Sequence, residues 1–460
     1  MMKMKKFICL AACAAIAVGS FAGCSDKKES GTNGVTTVTI WTGGSSDYKV
    51  QSKMIEDWNK TEGKKKGVKI DYQLKADDSL QQSLEIALKA GNAPDIFYSG
   101  DMKSYAENKY IASIDELTCG DELIKKFKDK IVDEKNMVGD KIYTLPYGSN
   151  LRGMIYNKDL FKKAGIVDSN GEAKPPKTFD EYREYAKKIT NEAEGIYGAI
   201  YPMKWTGWYG SDITTLVQQN AGHSGYNPVN GKYEYDAFTK LMQYALDIYK
   251  DGSVYPDTEG LDNDTARALF AEGKIGIKMA YDFDVAVLNY QFPAKCDWGV
   301  APLPLLDENN AYYQRMTYGI SPYVSQKAVE EKKDAVSTVF EFLMSDEYVI
   351  DLYKNACKFP YDYDLIKDVK LGKDTPKGWK EFGEMLEVSR VNNLEPKTDM
   401  TNVKSIGDRF VEYCWTGKKT PKQVTDEYVQ DLYKAQEAYY KNNPNESPDK
   451  YLDPNWNIKR

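Results

Sequence analysis

An α/β protein of two lobes is what this sequence predicts, on three observations. Strand-like and helix-like stretches alternate through the first hundred residues. About 426 residues follow an apolar leader and a polar leash, too many for one hydrophobic core. Two apolar stretches broken by Pro, Gly and Tyr, KIYTLPYGSNLRGMIYN near residue 147 and MTYGISPYVS at Met316 to Ser325, read as passages of the chain between the lobes.

The elements follow in order. VTTVTIW, Val35 to Trp41, is rich in β-branched residues and reads as a strand. Gly43-Gly44-Ser45-Ser46-Asp47 makes a turn with capping residues, and Tyr48 to Asn59 has helical spacing. The run Lys64-Lys65-Lys66 reads as a solvated turn before a second strand, Val68 to Leu74. A helix over Leu80 to Ala90 stops at Gly91-Asn92, and Pro94 opens a third strand, DIFYSGD. This alternation predicts a parallel sheet covered on both faces. Ligands bind such sheets beyond the carboxyl ends of the strands. Those ends are Trp41 to Gly44, Lys75 to Asp78 and Tyr98 to Asp101.

Beyond the first crossing, Thr178-x-x-Glu181 is a capping box opening an amphipathic helix. Residues 196–236 read as loop-rich and aromatic around WTGWYGSD, Trp205 to Asp212. Helices are expected over Phe238 to Asp251 and Asp262 to Ala271. The strand in GKIGIKMAYDFDVAV then runs into a loop carrying Asp282, Phe283 and Asp284. Helices dominate from Lys327, and the tail 443–460 reads as polar and loose.

The leader carries Lys3, Lys5 and Lys6, then an apolar run from Phe7 to Val18, then small residues. That is an export signal, and its dozen apolar residues fall short of the roughly 20 that span a bilayer. Phe21-Ala22-Gly23-Cys24 resembles the bacterial lipobox, with Phe21 where Leu is usual. The resemblance implies a lipoprotein signal peptide over 1–23, a lipid-bearing Cys24, and a flexible tether through residue 34. The plainer alternative is an ordinary signal cut near Ala22. Two acyl chains give stable anchoring, so the expected location is the extracytoplasmic face of the cell membrane, as in Gram-positive surface lipoproteins.

The net charge of −7 becomes −10 without the three leader lysines, which argues against nucleic acid and anionic lipid surfaces as partners. Cys119, Cys296, Cys357 and Cys414 form no C-x-x-C pair and read as free thiols. There are 35 Tyr against 15 Phe, with 8 Trp. Most fill cores, and a few suit a cleft for an amphipathic ligand.

The segments GNAPDIFY, LPYGSNLRGMIYNKDLFKKAGI, PPKTFDEY, ALFAEGKIGIKM and YGISPYVS, in that order, resemble the extracellular solute-binding proteins of ABC importers, in the branch that includes maltose-binding protein. The resemblance covers nearly all of residues 35–440. It implies a two-lobe periplasmic-binding-protein-like fold with a ligand cleft and hinge crossings. The lobes are expected at 35–149 plus about 320–365 and at 150–319 plus about 366–442. The implied function is capture of a sugar, an oligosaccharide in the first instance, by hinge closure. A monomer would then deliver it to an ABC permease, with no catalysis, cofactor or metal.

Sugars ask for aromatic faces against their C–H sides and a few polar groups for their hydroxyls. Carried over by position, the ligand-binding candidates are Trp41, Gly43 and Gly44 on the first strand, Asp78 on the second, and Tyr98 and Asp101 on the third. Asn150 stands where the maltose binder has a carboxylate. Arg152, two residues on, shares its face in a strand. Trp205, Trp208 and Tyr209 lie in the aromatic loop. Phe283 takes the place of a stacking Trp, flanked by Asp282 and Asp284. Tyr318 and Gly319 sit at the later crossing and Arg390 in the C-terminal half.

Rival readings stay open on residues alone. Among 69 acidic residues a glycosidase pair arises by chance. Other chemistry is harder to sustain. His223 is the only histidine, and G-x-S-x-G, H-E-x-x-H, the Walker loop and G-x-G-x-x-G are all missing. The same fold with a polyamine or other non-sugar ligand, or a surface glycan scavenger without a permease, also fits.

Overall fold

The computed structural model describes residues 34–43 and 45–460. The leader, Cys24 and Gly44 lie outside the described residues, as do the side chains of Asp78 and Trp208. In chain order, the elements that position the site are β1 (Thr36–Thr42), α1 (Ser45–Lys60), β2 (Val68–Leu74), α2 (Asp77–Lys89), β3 (Ile96–Phe97), β4 (Pro146–Asn150), β5 (Arg152–Asn157) and β6 (Tyr197–Ala199). They continue with α3 (Thr206–Ala221), α4 (Asn263–Ala271), β7 (Ile275–Tyr281), β8 (Trp298–Ala301), β9 (Gln314–Ile320), β10 (Tyr323–Val324), α5 (Gln326–Leu343), β11 (Ser389–Val391) and α6 (Pro421–Asn442).

The first sheet has the order β10-β3-β1-β2. β1 runs parallel to β2 and β3, from Thr36↔Val68 to Thr42↔Leu74, as the alternation predicts. Val38 and Ile40 enter the core, and Trp41 lies half-buried on the other face. The late strand β10 joins β3 antiparallel. The second sheet, β8-β5-β7-β6, is mixed. β5 runs antiparallel to β7 and β8, and only β6 and β7 are parallel. The sheet is mixed because β5 arrives directly from the hinge rather than through a crossover helix, and the parallel expectation for the first sheet holds except at its edge strand β10.

A third sheet, β11-β9-β4, is the hinge. β9 pairs antiparallel with β4, Thr317↔Asn150 and Tyr318↔Ser149, and only Leu151 separates β4 from β5. One residue therefore carries the chain from the hinge sheet into the second lobe. A further passage runs alongside, where Ser149 N–H donates to the Phe359 carbonyl at 3.0 Å. Gly148 lets the two passages approach closely. A Cβ would stand 3.0 Å from that same carbonyl and 2.6 Å from Lys358 Cδ.

Cores follow the same division. Val38, Ile40, Ile70, Phe127, Leu145, Val336 and Phe340 form one. Phe161, Tyr185, Phe238, Ile277, Phe410 and Val424 form another. A third, with Leu151, Ile155, Phe270, Trp298, Phe359 and Phe382, underlies the hinge.

Three expectations are corrected. The lysine run closes a short helix, Glu62–Lys66, rather than a turn. WTGWYGSD opens the sixteen-residue helix α3 rather than a loop. Residues 443–460 are docked, not loose. Tyr451 joins the second core, Trp456 Nε1 donates to the Gly222 carbonyl at 2.7 Å, and Tyr313 N–H donates to the Ile458 carbonyl at 2.9 Å. The apolar anchors Tyr451, Trp456 and Ile458 are spaced among Asn, Pro, Asp and Lys, so the average hides them. Burial of large side chains contributes about 1.5–3 kcal/mol each. Ending the chain at Asn442 is therefore expected to cost about 2–4 kcal/mol, seen as a lower urea midpoint. An unchanged midpoint would show the docking to be idle.

Candidate functional site

The first wall is built at the ends of β1 and β2. Their register places Trp41 beside Gln73. Trp41 Nε1 donates to Gln73 Oε1 at 3.1 Å, and Lys75 Nζ stands 4.2 Å over the indole and 3.2 Å from the same oxygen. Asp71 accepts from Gln73 Nε2 at 2.6 Å. The aromatic plate is thus held by a polar frame. Lys75 belongs to a strand end expected from sequence, and Gln73 was missed, although pairing β1 with β2 brings it forward. Gly43 is buried at the end of β1.

At the end of β3, Ser99 adopts φ 145°, a region that non-glycine residues avoid, and its Oγ donates to Gln81 at 2.6 Å. Backbone strain of this kind concentrates at functional sites. Tyr98 is half-buried against Tyr147, with ring centroids 6.3 Å apart, and burial pushes its phenol well above the usual range. Asp101 is exposed and caps the next helix, accepting from Ser104 N–H at 3.2 Å.

The second wall grows from β5, β7 and α3. Arg152 donates to Ser211 Oγ at 3.1 Å, pairs with Asp212 at 3.4 Å, and lies 4.0 Å over the Tyr281 ring. Tyr281 OH donates to Asp212 at 3.3 Å. Phe283 stacks on Tyr281 at 4.9 Å and 15° and is 44% exposed. The result is a layered stack, guanidinium on phenol on benzene, whose outer plate meets solvent. Trp205, 56% exposed, stands at the start of α3. Asn150 is exposed at the hinge, in register with Thr317.

The two acids beside Phe283 differ. Asp282 is buried and accepts from the Leu151 N–H at 3.0 Å, pinning the loop to the hinge residue itself. Asp284 is 0% exposed and accepts from Arg267 Nε at 2.5 Å and Tyr281 N–H at 2.9 Å. It holds the loop from beneath, which corrects its expected place among ligand contacts. Tyr209 is corrected likewise. It is 5% exposed and stacks on Phe410 at 5.2 Å in the second core.

Tyr318 and Arg390 come together elsewhere. With Lys130, Tyr361 and Asp362 they line a pocket of about 650 Å³ whose walls omit Arg152, Tyr281 and Phe283. Strand alternation explains this. Met316 and Tyr318 share one face of β9, while Arg315 and Thr317 point the other way. Gly319 opposes Gly148 at a register shift.

Arg315 is a second omission from the sequence reading. Its guanidinium feels Arg152, Glu395 and Tyr281, and it presses on Lys135 of the first lobe. Burial pushes the Asp212 carboxyl up to about 6, offset in part by Arg152, and pushes Asp282 and Glu395 up to about 7. Raised carboxyls keep a proton in the folded state that the unfolded chain has released, so stability falls as pH rises from about 4 to 7. Buried His223, its pKa lowered by burial, acts in the opposite direction, as do the ion-paired carboxyls held below their ordinary range, Asp251 and Asp431 among them, whose contribution falls below about pH 5. The empty protein is therefore expected to melt higher at pH 5 than at pH 8 in calorimetry. A higher melting point at pH 8 would contradict these shifts.

Two lobes, three chain passages between them and recognition groups at strand ends are the geometry of a binding protein. The family model of the bacterial extracellular solute-binding protein matches residues 43–350. The chain belongs to the bacterial extracellular solute-binding proteins. This solute-binding protein is 28% identical over 249 residues to the arabinooligosaccharide-binding protein of Bacillus subtilis (strain 168), covering 52% of this chain and 53% of that protein. It is 26% identical over 296 residues to the sn-glycerol-3-phosphate-binding periplasmic protein UgpB of Yersinia enterocolitica, covering 62% and 64%. The chain thus spans between about half and two thirds of the length of these curated relatives. Its fold matches RafE of Streptococcus pneumoniae in the apo form with a TM-score of 0.62 at 16% identity, over 89% of this chain and 99% of that one. The maltose-bound MalE3 of T. maritima matches with 0.61 at 20%, over 87% and 99%. Among the described residues no helix of this solute-binding protein is long and apolar enough to cross a membrane.

Proposed function

We propose that this chain is the extracytoplasmic carbohydrate-capturing component of an ABC importer. It would be held at the membrane by lipid on Cys24, act as a monomer and perform no turnover. Lobes at 35–149 with about 320–365, and at 150–319 with about 366–442, close on the ligand, and residues 443–460 pack with the second lobe. The carrying observation is the layered stack of Arg152, Tyr281 and Phe283, an aromatic plate framed by hydrogen-bonding groups. The framed indole of Trp41 on the first lobe supports the same chemistry. Such plates take the C–H faces of sugars while flanking polar groups take hydroxyls. Similarity to an arabinooligosaccharide-binding protein favours an oligosaccharide.

The test is thermal unfolding of the leader-free protein against arabino-, malto- and chito-oligosaccharides, monosaccharides, polyamines and sn-glycerol 3-phosphate. A ligand at 100 times its dissociation constant adds about 2.7 kcal/mol. A shift with one saccharide class, and no hydrolysis products, supports the proposal. A shift confined to polyamines overturns the sugar, and released products overturn the claim of binding without turnover.

A further inference from the structure

Arg315 stands out among the groups at the hinge. Its side chain is half-buried, and its Nε is buried with no hydrogen-bond partner. Every other arginine at the site is matched. Arg152 has Ser211 and Asp212, and Arg267 has Asp264 and Asp284. The carboxylate that acts most strongly on Arg315 is Glu395, which is itself half-protonated near neutral pH because burial holds it at about 7. Arg152 adds a like charge beside it. The two are tied structurally, since Gln314 Nε2 donates to the Arg152 carbonyl at 2.8 Å. From the first lobe comes Lys135, half-buried and within reach of the Arg315 charge.

The segment carrying Lys135 is fixed against the second lobe through its neighbour. Glu134 accepts from Tyr451 OH at 2.7 Å and pairs with Lys450 at 3.3 Å and Lys397 at 3.7 Å. Arg315 thus feels like charge from Arg152 and exerts it on Lys135, with Glu395, raised by burial, and Asp212, already engaged by Arg152, as the acids of the group. An uncompensated, partly buried guanidinium is costly unless something pairs with it. Guanidinium geometry suits carboxylate and phosphate oxygens, two at a time.

We propose that the saccharide this protein captures carries a negatively charged group, a carboxylate or a phosphate ester, which seats against Arg315 with Lys135 completing its shell from the first lobe. This rests on the carbohydrate reading and narrows it. A neutral sugar offers the guanidinium acceptor oxygens but no charge to balance it, whereas an acidic one supplies both.

The test uses matched pairs in calorimetric titration of the leader-free protein: a galacturonate disaccharide against galactobiose, and glucose 6-phosphate against glucose. In at least one pair the charged member is expected to bind about tenfold tighter or more, the scale of one charge-assisted hydrogen bond. Which pair shows it tells carboxylate from phosphate. Arg315→Gln removes that preference, and it leaves the melting point of the empty protein unchanged or raised, because an unmatched charge has gone. Lys135→Gln, on a partly exposed segment, weakens the same preference and serves if Arg315→Gln fails to fold. Equal or tighter binding of the neutral member in both pairs overturns the inference and leaves the carbohydrate reading standing. Preference surviving both variants also overturns it. Binding of sn-glycerol 3-phosphate alone supports the anion site and overturns the sugar. Binding of no member of the set overturns the inference, while the carbohydrate reading is decided by its own saccharide panel.

Discussion

Phe283→Ala lowers saccharide affinity by about 10–100-fold while moving the melting point of the empty protein by no more than about 1–2 °C. The two halves of that expectation have separate causes. Phe283 is 44% exposed and lies over Tyr281 rather than in a core, so its removal leaves no cavity. Substitutions outside cores stay within about 0.5 kcal/mol. In the proposed function the same ring would lose its solvent face to the ligand, and aromatic anchors at the centre of a site cost about 2 kcal/mol or more when truncated. Phe283→Trp keeps the plate and is expected to retain most of the affinity. Titration calorimetry reads both. An alanine variant that binds within threefold of the parent removes Phe283 from the site.

Asp284→Ala acts on stability instead and is expected to cost about 3–5 kcal/mol. Its carboxylate sits at 0% exposure under the Phe283 loop, with Arg267 Nε at 2.5 Å, the Tyr281 N–H at 2.9 Å and Lys278 Nζ at 4.0 Å. Removing one member of a buried charge group leaves the others unmatched, and that penalty exceeds the value of the pair itself. Asp284→Asn keeps the shape and a hydrogen-bond acceptor but leaves two cations facing each other, so it falls between. Lys278→Met is far milder. Burial already lowers the pKa of that lysine, and its one hydrogen bond goes to the Met279 carbonyl at 2.8 Å. Urea unfolding orders the three. A costlier Lys278→Met than Asp284→Ala would invert the account of which charge organises the loop.

The first lobe was legible because its signals are local. β-branched alternation marks β1 and β2, and it places Trp41 at the end of β1. What failed needed the fold. Asp282 and Asp284 flank one aromatic in identical company, and only the positions of Leu151 and Arg267 in space separate a hinge pin from a buried counter-ion. Tyr209 was hidden by glycines. Tyr209, Ile213, Leu216 and Val217 have helical spacing, but Gly207 and Gly210 in the same stretch suggested a loop. Gly210 is there because α3 packs against Gly407, whose Cα stands 3.0 Å from where a Cβ would be. The docked tail failed for a related reason, since three anchors spread through eighteen mostly polar residues carry no periodicity. Arg315 offered no signal at all. Its significance lies in a partner it lacks.

The central claim, that a saccharide is captured by closure of two lobes over the hinge formed by β4 and β9, is tested most directly by small-angle X-ray scattering of the leader-free protein. The measurement compares the empty protein with the protein saturated by the sugar that shifts its melting point. The account predicts a smaller radius of gyration with ligand, and loss of that change in Phe283→Ala at the same sugar concentration. A bound protein whose scattering matches the empty one would contradict capture by closure and leave a rigid, open site in its place.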